Sequence, residues 1–207
     1  MRKVLPFICL LLATPLLLAA PAPATPPAWQ TKVTHDLPLL GHRNWILIVD
    51  SAYPLQSSPG VETIDTNAEQ LDVLRYVMGA IGGSIHVRPD IFMDAELPFL
   101  TEDDTPGIDE YRTQVGKLLD GLNVESVPHE KMIGDVDEAG KLVHVLILKT
   151  RLAMPYTSVF LRLNCKYWSD DAEERLRVRM ANAAPSTPSQ QESPTPQPQL
   201  APPTPQP

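Results

Sequence analysis

The chain has 207 residues and a formal net charge of −8, from 17 lysines and arginines against 25 aspartates and glutamates. This acidic balance argues against a nucleic-acid surface or a surface for anionic lipids. Of its two cysteines, Cys9 lies in an N-terminal segment that we expect to be removed. Cys165 then has no partner within the chain, so the fold must rest on packing without an internal disulfide.

The N-terminal segment has the features of a secretory signal peptide. Arg2 and Lys3 give a positive start, the apolar run 4–20 follows, and Pro21-Ala22-Pro23-Ala24 offers small residues for cleavage. We therefore predict a signal peptide over residues 1–24 and an exported protein, either periplasmic or secreted. A retained membrane anchor is the alternative, although the run is short for a span of about 20 residues.

The C-terminal segment 184–207 contains only Ala, Pro, Ser, Thr, Gln, Glu and one Leu. Such a composition buries too little apolar surface to offset the entropy of ordering, which predicts a disordered Pro-rich tail. The tail is either a spacer or a recognition segment for a partner. After a short linker over 25–31, residues 32–183 remain, which is enough chain for a single domain with its own core.

Apolar runs and helical spacings alternate along this domain. Apolar β-rich runs predict strands over 45–49, 85–93, 124–127, 142–148 and 157–163. Helical periodicity predicts helices over 67–81, 109–122, 133–142 and 170–180. Asn67 is the predicted N-cap of the first helix. The alternation indicates the α/β class, with a single layered domain around a central, mostly buried sheet.

Ligands of such sheets bind beyond the strand ends, so the polar residues there are the candidates for a site. Those residues are His42, Asp50, His129, Tyr156 and Ser158. Taken singly, each is more simply a turn, cap or packing residue. Taken together, their residue types suit proton transfer and hydrogen bonding, because histidine exchanges protons near neutral pH and Asp and Tyr bind hydroxyl groups.

The order of these segments resembles the D-ribose pyranase and L-fucose mutarotase (RbsD/FucU) family. That family has Gly-His, an apolar strand and then Asp-Ala-x-x-Pro, and here Gly41-His42 precedes the strand while Asp50-Ser51-Ala52-Tyr53-Pro54 follows it. Val127-Pro128-His129-Glu130 resembles the family's Thr-His-Glu segment. Pro155-Tyr156-Thr157-Ser158 resembles its Pro-Tyr-Ala-Asn, which also precedes an apolar strand.

The resemblance implies an RbsD-like α/β/α sandwich and a cofactor-free isomerase that interconverts ring forms or anomers of a free ribose-like or fucose-like monosaccharide. It assigns the role of proton donor to His42. It assigns binding of the sugar to Asp50, His129, Tyr156 and Ser158. Ser158 stands where the family has Asn, and a hydroxyl cannot replace both the carbonyl and the NH₂ of an amide. The resemblance also implies a homo-oligomeric ring in which a neighbouring subunit completes each pocket.

Two other functions stay open at this point. The chain could be an exported, non-catalytic monosaccharide-binding domain, or a partner-interaction domain whose Pro-rich tail is the working part. A metal site is not expected, because the five histidines include no pair at helical i, i+4 spacing and no cysteine accompanies them. No cofactor is predicted.

Overall fold

The computed structural model describes residues 26–183. The predicted signal peptide over 1–24 and the predicted Pro-rich tail over 184–207 lie outside these residues. The described helices are α1 (Ala28–Asp36), α2 (Gln70–Gly83), α3 (Ile108–Leu118), α4 (His129–Gly140) and α5 (Asp170–Ala183). The described strands are β1 (Trp45–Val49), β2 (Val61–Asp65), β3 (Val87–Asp94), β4 (Val124–Val127), β5 (Val145–Lys149) and β6 (Val159–Cys165).

The described strands form one mixed sheet in the order β2-β5-β1-β6-β3-β4. β1 and β2 are both parallel to β5, and β3 is parallel to β4. β6 is antiparallel to both of its neighbours, β1 and β3. The other five strands therefore run in one direction, and their carboxyl ends meet the start of β6 at one edge. We call this the C-terminal edge, and the opposite edge, with the start of β1 and the end of β6, the N-terminal edge.

Helices cover both faces of the centre of the sheet. On one face, Ile46 and Ile48 of β1 belong to a core that includes residues of α1, α2 and α3. On the other face, Leu47 and Val49 share a core with Met132 of α4. Every residue of β1 is buried, which explains why its sequence is apolar throughout rather than alternating. The predicted α/β class and layered sandwich around a buried sheet are confirmed.

The strands predicted over 45–49 and 124–127 coincide with β1 and β4, and the other predicted elements overlap β3, β5, β6 and α2 to α5. Sequence patterns did not indicate β2 or α1. β2 is an outermost strand of the sheet and is only half-buried, so its polar and apolar residues are mixed. α1 begins inside the predicted linker 25–31, and it buries Trp29 and Val33 in the core.

Two helices begin at other residues than expected. Asn67 is not a helix cap: it has a φ of 47°, and its backbone N–H donates to Asp65 Oδ1 at 2.9 Å in a turn before α2. α4 begins at His129 rather than at 133, because Pro128 precedes it with a φ of −53° that suits entry into a helix. His129 therefore belongs to the first turn of a helix and not to a loop.

The final predicted helix is present as α5, but none of its residues is buried. An ion pair links it to the sheet, with Arg88 Nη2 lying 2.9 Å from Asp170 Oδ1. Among residues 26–183, the helices are too short or too polar to span a bilayer.

Candidate active site

A cavity of about 450 Å³ opens at the C-terminal edge of the sheet. Three segments enclose it: the loop after β1, the first turn of α4 and the loop before β6. Its lining residues are Asp50, Ser51, Ala52, Tyr53, Pro54, His129, Glu130, Ala153, Met154, Pro155 and Tyr156. The volume lies in the range of small-molecule sites, and the position beyond the strand ends is where such sheets bind ligands.

Asp50 lies at the floor of the cavity, directly after β1, and is largely buried. Its Oδ1 accepts a hydrogen bond from the backbone N–H of Ala52 at 2.8 Å. Its Oδ2 accepts one from the hydroxyl of Ser158 at 3.2 Å. The carboxylate is thus fixed from two sides, and its remaining lone pairs are available to a ligand.

Ser158 is itself completely buried and does not line the cavity. It lies behind Asp50, and the sugar contact implied for it by the sequence resemblance has no counterpart in this geometry. The next residue back, Thr157, is held by a buried network: its carbonyl oxygen accepts hydrogen bonds from Tyr111 Oη at 2.6 Å and from Gln70 Nε2 at 2.5 Å. This network fixes the chain immediately after Tyr156.

His129 lines the opposite wall, with its side chain 19% exposed. Its ring Nδ1 lies 3.1 Å from Asp94 Oδ1. Its backbone N–H donates to both carboxylate oxygens of Glu96, each at 3.1 Å. An acidic side chain at this position suits the positive N-terminal end of α4. Both the backbone and the ring of His129 are therefore held by carboxylates.

Tyr156 completes the wall beside His129. The two rings meet edge to face, with centroids 5.2 Å apart and planes at 88°. Tyr156 has a φ of 56°, which a non-glycine residue rarely adopts outside functional loops. The strained loop directs the half-buried Tyr156 toward the cavity.

Asp94, the last residue of β3, was not among the residues predicted from the sequence. Its side chain is fully buried, and burial raises its pKa to about 6, while the hydrogen bond with His129 acts in the opposite direction. Asp94 Oδ2 and the hydroxyl of Tyr53 are buried without a hydrogen-bond partner among the described residues. Burial also raises the pKa of Tyr53, and the nearby Asp94 and Asp50 add to that effect.

The signal that identified Asp50 also applies to Asp94, because each is a carboxylate at the end of an apolar strand. The predicted second strand ended at 93, one residue before Asp94. The structure extends β3 through Asp94 and pairs it with Val127 of β4. This pairing brings Asp94 next to His129, which lies just after β4.

His42 lies at the N-terminal edge, at the opposite end of the strands from the cavity. It is exposed, and its Nδ1 is 3.0 Å from Asn164 Oδ1, near the end of β6. β1 lies between His42 and Asp50, and its five residues alone span about 17 Å. The structure therefore brings together Asp50, His129 and Tyr156 in one cavity and leaves His42 apart.

Asp50 and Glu130 are the acidic residues of the cavity wall, and no Lys or Arg among residues 26–183 lines it. Asp94 and Glu96 add further carboxylates behind His129. A neutral polyhydroxylated ligand suits such a site, because carboxylates accept hydrogen bonds from hydroxyl groups.

No protein-family model matches the sequence, and no curated protein matches it either. Among solved structures, the chain is similar to RbsD of Bacillus subtilis complexed with D-ribose, with 16% identity over 70% of this chain and 98% of that one, and a TM-score of 0.47. It is similar to FucU of Bifidobacterium longum, with 14% identity over 65% of this chain and 94% of that one, and a TM-score of 0.45.

A third similar structure is the fucose mutarotase of Streptococcus pneumoniae in complex with L-fucose. It is 18% identical over 65% of this chain and 89% of that one, with a TM-score of 0.41. These proteins bear the names of the family that the sequence motifs resemble.

Proposed function

We propose that the protein is a cofactor-free pyranase or mutarotase of a free, ribose-like or fucose-like monosaccharide. One observation carries the proposal: Asp50, His129 and Tyr156, from three distant parts of the sequence, meet around a single cavity whose wall in this chain has no cationic side chain. A neutral sugar is the ligand class that fits these groups.

The exchange of ring forms or anomers requires two proton transfers. One proton goes to the ring oxygen as the bond between that oxygen and the anomeric carbon breaks, and one leaves the anomeric hydroxyl. Histidine can serve in either transfer near neutral pH. Asp50 and the Tyr156 hydroxyl hold the other sugar hydroxyls in place. Ser158 supports this binding from behind by holding Asp50.

His42 enters this proposal as the proton donor supplied by a second copy of the chain. The exposed position of His42 at the N-terminal edge supports this role, since its own cavity is out of reach. A homo-oligomeric ring, in which the N-terminal edge of one subunit faces the cavity of the next, satisfies the geometry. The export of the mature protein is a further part of the proposal, and mass spectrometry of its N-terminus after expression tests it.

Saturation-transfer NMR on D-ribose and L-fucose tests the activity, because it measures exchange between anomers and ring forms directly. We expect purified protein to accelerate the exchange of at least one of these sugars. The Asp50→Asn variant should lose most of the acceleration. Exchange at the uncatalysed rate with every aldose tested would contradict the proposal.

An exported, non-catalytic sugar-binding domain is the second candidate. It is favoured by Ser158, which binds Asp50 and adds no group to the cavity. Titration calorimetry separates the two functions, because a binding domain yields heat with the sugar but leaves its exchange rate unchanged.

A further inference from the structure

The contact between Asp94 and His129 involves a residue, Asp94, that belongs to none of the sequence motifs described above. Asp94 lies on β3 and His129 on α4, and 35 positions of sequence separate them. Asp94 has no exposed surface, whereas the His129 ring lines the cavity. A buried carboxylate therefore contacts the ring from behind, on the side away from the ligand.

We propose that Asp94 is a positioning residue that keeps a proton on Nδ1 of His129 and thereby leaves Nε2 free to take the proton of the anomeric hydroxyl. This inference rests on the proposed function and deepens it. It adds a second proton-transfer group, supplied by the same chain as Asp50, to the donor assigned to His42.

The chemistry of the contact defines the tautomer. An ionised carboxylate only accepts hydrogen bonds, so a neutral imidazole facing Asp94 Oδ1 must carry its proton on Nδ1. Its Nε2 then has a lone pair, and no described residue forms a hydrogen bond with that atom. The backbone contact with Glu96 and the edge-to-face contact with Tyr156 restrain the ring further. The free nitrogen is held in one orientation.

The proton balance of the reaction closes with this assignment. As the ring opens, Nε2 of His129 takes the proton of the anomeric hydroxyl, the anomeric carbon becomes a carbonyl, and its bond to the ring oxygen breaks. The ring oxygen takes a proton from His42. After rotation about the neighbouring carbon–carbon bond, the ring closes, the attacking hydroxyl returns a proton to His42, and His129 returns its proton to the carbonyl oxygen. The carboxylate of Asp94 stabilises the imidazolium between the two steps.

Several titratable groups lie near the Asp94 carboxylate. Asp50 faces it from the loop after β1, Glu96 from the loop after β3, and Tyr53 and Tyr111 lie close enough to sense its charge. All of these groups are acidic or neutral. Among the described residues, His129 is therefore the basic side chain that contacts Asp94. The Asp94 carboxylate accepts its hydrogen bond from the His129 ring.

The Asp94→Asn variant tests the assignment with almost no change of shape. The amide donates its NH₂ to Nδ1, which moves the histidine proton to Nε2 and removes the base. We expect sugar exchange to fall about 10²- to 10⁴-fold, the usual contribution of one general base. The dissociation constant of the sugar should change less than about threefold, because Asp50 and Tyr156 are untouched.

The control is Asp65→Asn, which makes the same substitution at the last residue of another parallel strand, β2, where the side chain is exposed. This variant should exchange sugar at the wild-type rate. Nitrogen-15 NMR of the histidine rings supplies a second readout that needs no turnover. It should find the His129 proton on Nδ1 in the wild type, which a purely structural role for Asp94 in packing does not require.

The outcomes separate this inference from the function beneath it. A wild-type protein that exchanges sugar, with an Asp94→Asn variant equally fast, overturns the inference and leaves the function intact. A proton on Nε2 of His129 in the wild type also overturns the inference, even if the variant fails to fold. A wild type without exchange overturns both the function and the proton transfer by His129.

Discussion

The hydroxyl of Ser158 lies 3.2 Å from Oδ2 of Asp50, and both residues are buried at the C-terminal edge of the sheet. The contact joins the end of β1 to the start of β6 across 108 positions of sequence. The position of the Asp50 carboxylate in the cavity therefore depends on a residue that does not line it.

Removal of this hydroxyl should weaken binding of the sugar. In the Ser158→Ala variant, Asp50 keeps the hydrogen bond from Ala52 but loses one to a charged acceptor, which is worth about 1.5–3 kcal/mol. We expect the dissociation constant to rise by about tenfold or more, with a smaller change in the exchange rate of bound sugar. Calorimetry and saturation-transfer NMR on the same sample measure both. An unchanged dissociation constant would show that Ser158 does not hold Asp50.

The Ser158→Asn substitution introduces the residue that the RbsD/FucU family has in the segment resembling this one, yet we expect it to destabilise this protein. Ser158 has no exposed surface, and a larger amide must displace neighbouring core atoms, which typically costs about 1–3 kcal/mol. Urea unfolding of the variant should give a lower midpoint than that of the wild type. Wild-type stability together with faster exchange would instead indicate that the site can accept the family residue.

The stability of the protein should depend on pH through Asp94. Burial raises the pKa of this carboxyl from 3.8 to about 6, so the folded state binds its proton more tightly than the unfolded state does. Its contribution to stability is therefore present below pH 4 and is lost as the pH rises through 6. The side chain of the Asp94→Asn variant does not titrate. Between pH 4 and pH 6, the free energy of unfolding of the variant should therefore rise by about 2–3 kcal/mol relative to that of the wild type.

Chemical denaturation at a series of pH values measures the difference. The Asp65→Asn variant changes an exposed carboxylate and should show no such growth in its difference from the wild type. A constant difference for Asp94→Asn between pH 4 and pH 6 contradicts the expected titration.

His42 should affect exchange without affecting folding. It is exposed and makes one side-chain hydrogen bond within residues 26–183, with Asn164, so the His42→Ala variant should unfold within about 0.5 kcal/mol of the wild type. Its exchange rate should fall about 10²- to 10⁴-fold if it is the proton donor. Exchange at the wild-type rate excludes that role.

If His42 acts on the cavity of a neighbouring subunit, two inactive variants should complement each other. The His42→Ala and Asp50→Ala variants are refolded together at equal concentration. In a randomly mixed ring, about a quarter of the cavities then contain both an unchanged His42 from one subunit and an unchanged Asp50 from its neighbour. We expect a corresponding part of the wild-type exchange to return, with light scattering to confirm the assembly. No recovery in a mixed oligomer would overturn the proposed role of His42 as the proton donor.

The buried network behind Tyr156 should control how well the cavity wall is ordered. The Tyr111→Phe variant removes the hydrogen bond to the Thr157 carbonyl but leaves the one from Gln70, so we expect a loss of about 1 kcal/mol of stability. Tyr167→Phe is the matched control, because Tyr167 is exposed. Thermal unfolding of both variants tests the difference, and equal midpoints would contradict it.

The burial of β1 on both faces dictates its composition and made this strand predictable from the sequence. β1 is apolar on both faces, and its limits were correct to the residue. β2 was missed because an edge strand with Glu62 and Thr63 among its residues carries no continuous apolar signal. α1 was missed because only Trp29 and Val33 mark its buried side before the chain turns toward the sheet.

For the site, the sequence identified side chains but not the edge of the sheet at which each would lie. Asp50, His129 and Tyr156 share a cavity because their strands run in compatible directions, and strand direction is a property of topology that no local pattern contains. Asp94 was missed by one residue at a strand boundary, where sequence patterns are least exact. Neither its contact with His129 nor its raised pKa could be read before the pairing of β3 with β4 was known.

The reversed course of β6 gives strand registration a part in ligand recognition. Ile48 of β1 pairs with Val159 of β6, which brings the residue before Val159 alongside the end of β1 and next to Asp50. A slip of one residue turns Ser158 to the opposite face of the sheet, and a slip of two carries it about 7 Å away from the carboxylate. The pairing of β1 with β6 in the middle of the sheet therefore sets the position of Ser158 relative to Asp50. Under the proposed function, substitutions in the core of β1 or β6 that shift this registration should change sugar binding without altering any residue that lines the cavity.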